Sequence, residues 1–91
     1  MEVLAGRITH YYKNIGVAAV EVSDYLELGN SIHIKGHTTD FEQEIESMEL
    51  GHKPVIRAEK GQVIGLKVKD HVRKHDLVYR IEIEKVDIGN S

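Results

Sequence analysis

Runs of alternating apolar and polar residues, each only five to eight long and broken by glycine or polar turns, recur along the whole chain and leave little room for helical periodicity. A period of two puts successive side chains on opposite faces, so each run reads as a strand with one buried and one solvated face. The fold class that follows is all-β. A first strand is expected near Val3 to His10 and a second near Gly16 to Val22, joined by a link from Tyr11 to Ile15. In the second strand Ala18, Val20 and Val22 share a face while Glu21 points out. Leu28-Gly29-Asn30-Ser31 is turn chemistry, and the strand that follows ends at Gly36. Phe41, Gln43, Ile45 and Ser47 point inward from the next run, with Glu42, Glu44 and Glu46 in water; Ile64, Leu66 and Val68 point inward from another, where Gly65 allows a bend or bulge. The cleanest alternation is Leu77 to Glu84, with Arg80, Glu82 and Glu84 expected in solvent and Asp87 to Ser91 fraying beyond it. Closure of such strands removes exposed edges, which gives a small closed antiparallel β-barrel of about six strands.

At 91 residues the chain suits one domain, residues 1–91, and 41% hydrophobic with 30% charged residues allows a core under a wet surface. Without cysteine there is no disulfide, thiolate nucleophile or cysteine zinc site. The opening residues lack a basic segment followed by an apolar stretch, and no run reaches a membrane span, so a cytoplasmic location without membrane contact is expected. A net charge of −3 argues against a general grip on nucleic-acid backbone, and no DNA partner is expected. The charge is nevertheless uneven. Asp40, Glu42, Glu44, Glu46 and Glu49 form an acidic stretch, whereas Lys53, Arg57, Lys60, Lys67, Lys69, Arg73 and Lys74 face only Glu59 and Asp70 and could form a basic patch.

Catalytic chemistry finds no support. Ser23, Ser31, Ser47 and Ser91 lack a nucleophile-elbow context, and no paired carboxylates stand in an apolar setting, so no enzyme, cofactor or resident metal is expected. His33 with His37, and His71 with His75, have ligand spacing only if helical, and neither lies in a helical pattern. The binding candidates are Tyr12 and the loop His37, Thr38, Thr39, Asp40, Phe41 and Gln43. Tyr11-Tyr12-Lys13 sets aromatic rings beside a cation, which can stack a base, although one ring can equally pack inside. The loop's polar groups can converge on a ligand or can cap a hairpin.

Five stretches at matching spacings resemble the β-barrel second domain of translational GTPases such as elongation factor Tu. They are Ala5-Gly6-Arg7-Ile8, Leu28 to Gly36, Ile45-Glu46-Ser47-Met48-Glu49, Ala58 to Leu66, and Lys74-His75-Asp76-Leu77-Val78. The resemblance implies a non-catalytic module engaging tRNA or RNA, a translation factor or a ribosome component. Asp40 would then stand where the family uses a glutamate toward the terminal adenosine of aminoacyl-tRNA, with Glu42 replacing a basic residue. No phosphate loop is present, which excludes GTP hydrolysis. The stretch Ile34 to Phe41 also resembles the C-terminal barrel of collagenase-like peptidase family proteins. That second resemblance implies an accessory subunit supplying in trans a barrel otherwise fused to a catalytic protein partner.

Overall fold

The computed structural model describes residues 1–83. Its strands are β1 (Glu2–Tyr12), β2 (Val17–Val22), β3 (Leu26–Glu27), β4 (Ser31–Lys35), β5 (Asp40–Glu44), β6 (Met48–Leu50), β7 (Lys53–Pro54), β8 (Arg57–Ala58), β9 (Val63–Lys67) and β10 (Leu77–Ile81). All pairings are antiparallel. Eight strands form one sheet in the order β5-β4-β10-β1-β2-β9-β6-β7, and β3 pairs with β8 alone. The alternating runs place their apolar members inside: Ala18, Val20 and Val22 of β2, Ile32 and Ile34 of β4, and Ile64 and Leu66 of β9 with Val68 beyond it all join one buried cluster.

β1 runs longer than its alternation indicates. Register shifts between Leu4 and Gly6 and between Ile8 and His10 bend it and exchange its faces, so Ala5, Gly6 and Ile8 are buried and Tyr11 packs on the core. The link therefore starts two residues later than expected: Tyr11 and Tyr12 belong to β1, and the Tyr12 carbonyl accepts from Ile15 N (3.1 Å) and Gly16 N (2.9 Å) to close the turn. β1 also pairs with β10, where Met1 N donates to the Glu82 carbonyl (2.9 Å) and Glu82 N returns a bond to Met1 O (2.7 Å).

The strand from Phe41 was expected to run through Ser47, but it stops at Glu44 and Ser47 is exposed. The Ile45 amide leaves β4 for the Asn30 carbonyl (2.8 Å), and Ile45 O accepts from Gly29 N (2.9 Å), which turns the chain so that Ile45 and Met48 are both buried. Gly65 makes no bulge; it pairs in register with Ala19. The largest difference lies in β10, where Val78 and Arg80 point inward and Leu77, Tyr79 and Ile81 are half-buried, the reverse of the expected parity for Arg80. Glu82 is half-buried, while Glu84 and Asp87 to Ser91 lie outside the described residues.

Nor does the backbone ladder close among the described residues. β5 is a free edge of the sheet, and the seam between it and the segment after β9 is spanned by one side chain. The Gln43 amide nitrogen donates to Lys67 O (2.9 Å), and its oxygen accepts from Lys69 N (2.8 Å), so a single amide does what a strand's backbone would do. Gln43→Glu is therefore expected to lower stability by about 1–2 kcal/mol, because the carboxylate still accepts but cannot donate to Lys67 O. Amide hydrogen exchange at Lys69 should accelerate in Gln43→Ala; unchanged protection there would remove Gln43 from this role.

Candidate functional site

The turn of the β4–β5 hairpin meets the segment that connects β9 to β10. Between β4 and β5 the turn is fixed by Gly36 N donating to Thr39 O (2.8 Å), which buries Thr39 and carries Asp40 and Phe41 into β5. Opposite it, the chain after β9 is pinned by buried Val68 and Val72, and the Asp70 carboxylate accepts from His71 N (2.8 Å) to shape the turn. The segments are tied by Arg73, whose Nε donates to Thr38 Oγ1 (2.9 Å). Between them lies an open cleft of about 310 Å³ lined by Thr38, Thr39, Asp40, Phe41, Asp70, His71 and Arg73. The His71 ring stands edge-on to Tyr11, with centroids 4.8 Å apart.

Of the residues singled out in the sequence, Thr38, Thr39, Asp40 and Phe41 thus share the cleft. His37 does not line it, Gln43 spans the seam, and Tyr12 lines a different groove. Asp70, His71 and Arg73 were not chosen as binding residues, although His71 entered as half of a histidine pair and Arg73 as part of the uneven basic stretch up to Lys74. The Thr38 hydroxyl accepts from a guanidinium, which cannot take its proton.

Tyr12's groove, about 370 Å³, is more apolar and is lined also by Ile15, Val17, Ala19, His52 and Val63. Tyr12, Ile15 and Val63 are 49%, 60% and 53% exposed, an unusual concentration of large apolar side chains in water. His10 packs on the Tyr12 ring at 4.3 Å between centroids.

A third constellation crosses the outer face of β1, β4 and β5. His33 Nδ1 lies 2.8 Å from Glu2 Oε2, and Nε2 lies 2.5 Å from Asp40 Oδ1. The bond to Asp40, then that to Glu2, holds the imidazole above its ordinary pKa against the opposing effect of burial, and the same His33 bond holds Asp40 below the usual carboxylate range.

No family model matches the chain. It is 38% identical over 78 residues to an uncharacterized protease of Methanocaldococcus jannaschii, a match covering 85% of this chain and 19% of that protein. It is 35% identical over 83 residues to a collagenase of Porphyromonas gingivalis, covering 89% and 20% respectively. Its relatives carry protease and collagenase names. The chain spans about a fifth of the length of these relatives. Among solved structures, the C-terminal domain of a Geobacillus thermoleovorans protein named as a U32 peptidase superposes with a TM-score of 0.82 at 20% identity, over 88% of this chain and 93% of that one. The selenomethionine variant of that domain gives 0.78 at 22%, over 82% and 95%.

These comparisons overturn the translational reading. The relatives carry protease and collagenase names, not translation or RNA-binding names, so neither tRNA, a translation factor nor a ribosome component is supported as partner. The glycine spacing that suggested a translation barrel reports how such sheets turn: Gly29 and Gly61 sit at φ of 89° and 92°, which a β-carbon disfavours whatever the barrel binds. Such spacing specifies strands and turns, not ligands. The described residues contain no helix long and apolar enough to cross a membrane.

Proposed function

We propose that this chain is a single, non-catalytic interaction module that supplies in trans the barrel-like domain of a collagenase-type peptidase and docks on its catalytic part. One observation carries this reading: the similarity covers 85–89% of the chain but a fifth of each relative, and the same fold is found as the C-terminal domain of a peptidase-named protein. A module of that kind needs a docking surface, and the groove of Tyr12, Ile15 and Val63 provides the exposed aromatic and aliphatic anchors that dominate protein interfaces. The loop 37–43 supplies the polar complement, because Asp40 and Asp70 beside Arg73 suit charged groups on the partner and fix orientation more than affinity.

The test uses the M. jannaschii relative from which the matched segment has been removed. Mixing it with this chain is expected to give a one-to-one complex in size-exclusion chromatography and calorimetry. Val63→Asp and Tyr12→Ala should each weaken that complex at least tenfold, as expected for buried interface anchors, while leaving the circular dichroism of the free chain unchanged. Absence of any complex at high micromolar concentration would reject the docking function, and a complex indifferent to both substitutions would move the interface away from this groove.

A further inference from the structure

We propose that Glu2, His33 and Glu42 form a binding site for a borderline divalent cation, zinc foremost, with Asp40 orienting the imidazole from behind. The three ligands come from β1, β4 and β5, so only the folded sheet assembles them. His33 and Glu42 are direct register partners, which places their side chains side by side on one face, and Glu2 reaches the same spot across β10. One ligand atom from each lies within 4.8 Å of the others. Zinc holds such ligands at about 2.0–2.2 Å, which needs them roughly 3.4 Å apart, and rotation of the exposed glutamates supplies the difference. His33 itself is held in place, its side chain only 13% exposed.

The donor set selects the cation. One imidazole nitrogen with carboxylate oxygens suits zinc or cobalt(II), whereas calcium and magnesium favour all-oxygen shells and copper(I) favours sulfur. With the cation on the Nδ1 side, next to Glu2, the opposite Nε2–H donates to Asp40. That is the carboxylate–histidine–metal arrangement that fixes the tautomer and ring orientation of metal-binding histidines. Three protein ligands leave the fourth position to water. The proposal is independent of the docking function and would hold for the isolated chain.

The experiment titrates the full chain, freed of chelator, with zinc chloride and in parallel with magnesium chloride. Calorimetry should show saturable one-to-one zinc uptake and none for magnesium, and cobalt(II) should develop visible absorption. His33→Ala and Glu42→Gln should each reduce zinc affinity at least tenfold, and Asp40→Asn by about tenfold, the usual effect of losing an orienting partner. His71→Ala should leave it unchanged. Glu42 is exposed on the outer face, so its variant keeps the fold and separates lost ligation from lost structure. Failure of zinc to saturate overturns the site, as does zinc uptake that survives both His33→Ala and Glu42→Gln, since another histidine would then hold the ion.

Discussion

Gly36→Ala is expected to destabilise the protein by about 3–5 kcal/mol, lowering the urea midpoint far more than any other single methyl addition at a glycine. A β-carbon at Gly36 would overlap Asp76 Oδ1 and lie 2.6 Å from its Cγ. Asp76 cannot yield freely. It is only 4% exposed, its Oδ2 accepts from Arg73 N (2.9 Å), and its backbone ties the 73–76 turn to β1 through Ile8 N to Asp76 O (2.8 Å) and His75 N to Ile8 O (2.8 Å). Displacing the carboxylate therefore strands a buried charge and loosens the turn that positions Arg73 in the cleft. Overpacking contributes about 1–3 kcal/mol and the lost charge-assisted bond about as much. Gly29→Ala is the control: its φ of 89° disfavours a side chain, but nothing lies within 4 Å, so roughly 1 kcal/mol is expected. Equal losses in the two variants would show that close approach to Asp76 is not what Gly36 provides.

The second large effect belongs to Arg80. Its side chain is 5% exposed, and its guanidinium donates to Glu82 Oε2 (2.7 and 3.0 Å), to Asp24 Oδ1 (3.2 Å) and to the Tyr25 carbonyl (2.6 Å). It also lies 3.9 Å from the centroid of the Tyr25 ring, on which Arg57 packs at 4.1 Å. Burial disfavours the charge, but the bonds to Glu82 and Asp24 outweigh it and Arg80 stays ionised. Arg80→Met removes the charge and leaves all its acceptors in place. Breaking a buried pair in this way costs about 3–5 kcal/mol, and because Asp24 and Glu82 are 44% and 40% exposed and can recruit water, about 3 kcal/mol is expected. Arg80→Lys should recover little, since one ammonium cannot serve the same set of planar contacts. Near-ultraviolet circular dichroism should also change as Tyr25 loses one of its two cations. A methionine variant as stable as the parent would mean that the network contributes nothing beyond filling space.

Arg80 also marks where the sequence stops being legible. Alternation located β2 and β9 with the correct faces because their inward residues are all aliphatic, so pattern and burial agree. In β10 the same rule turned Arg80 outward, since nothing local reveals that Asp24 and Tyr25, more than fifty residues earlier, wait to receive it. The extension of β1 through Tyr11 and Tyr12 was hidden for a related reason: two bulges reset its period, and a period counted across a bulge points the wrong way. The seam was equally invisible, because Gln43 reads as an ordinary inward polar residue until the 67–69 backbone is set beside it.

For the candidate site, the sequence supplied half. Thr38 to Phe41 are contiguous and rich in polar groups, so they could be picked out together. Asp70, His71 and Arg73 stand some thirty residues later, and only the fold brings them across from the first group. His33 was weighed only with His37 and set aside for want of a helix, whereas strand pairing gives it Glu42 opposite and Glu2 and Asp40 at its two nitrogens. Ligands contributed by separate strands leave no spacing to recognise.

The two hydrogen bonds between Met1 and Glu82 carry a last consequence. They bring the points where polypeptide would enter and leave the sheet to one corner, so the body is suspended as from a single hinge pin. A segment joined ahead of Met1 would start from that corner, and neither the cleft residues nor the Tyr12 groove is needed for the attachment. The same adjacency makes the chain a candidate for circular permutation, with a short bridge across Met1 and Glu82 and new ends opened in the exposed Lys13–Asn14 turn.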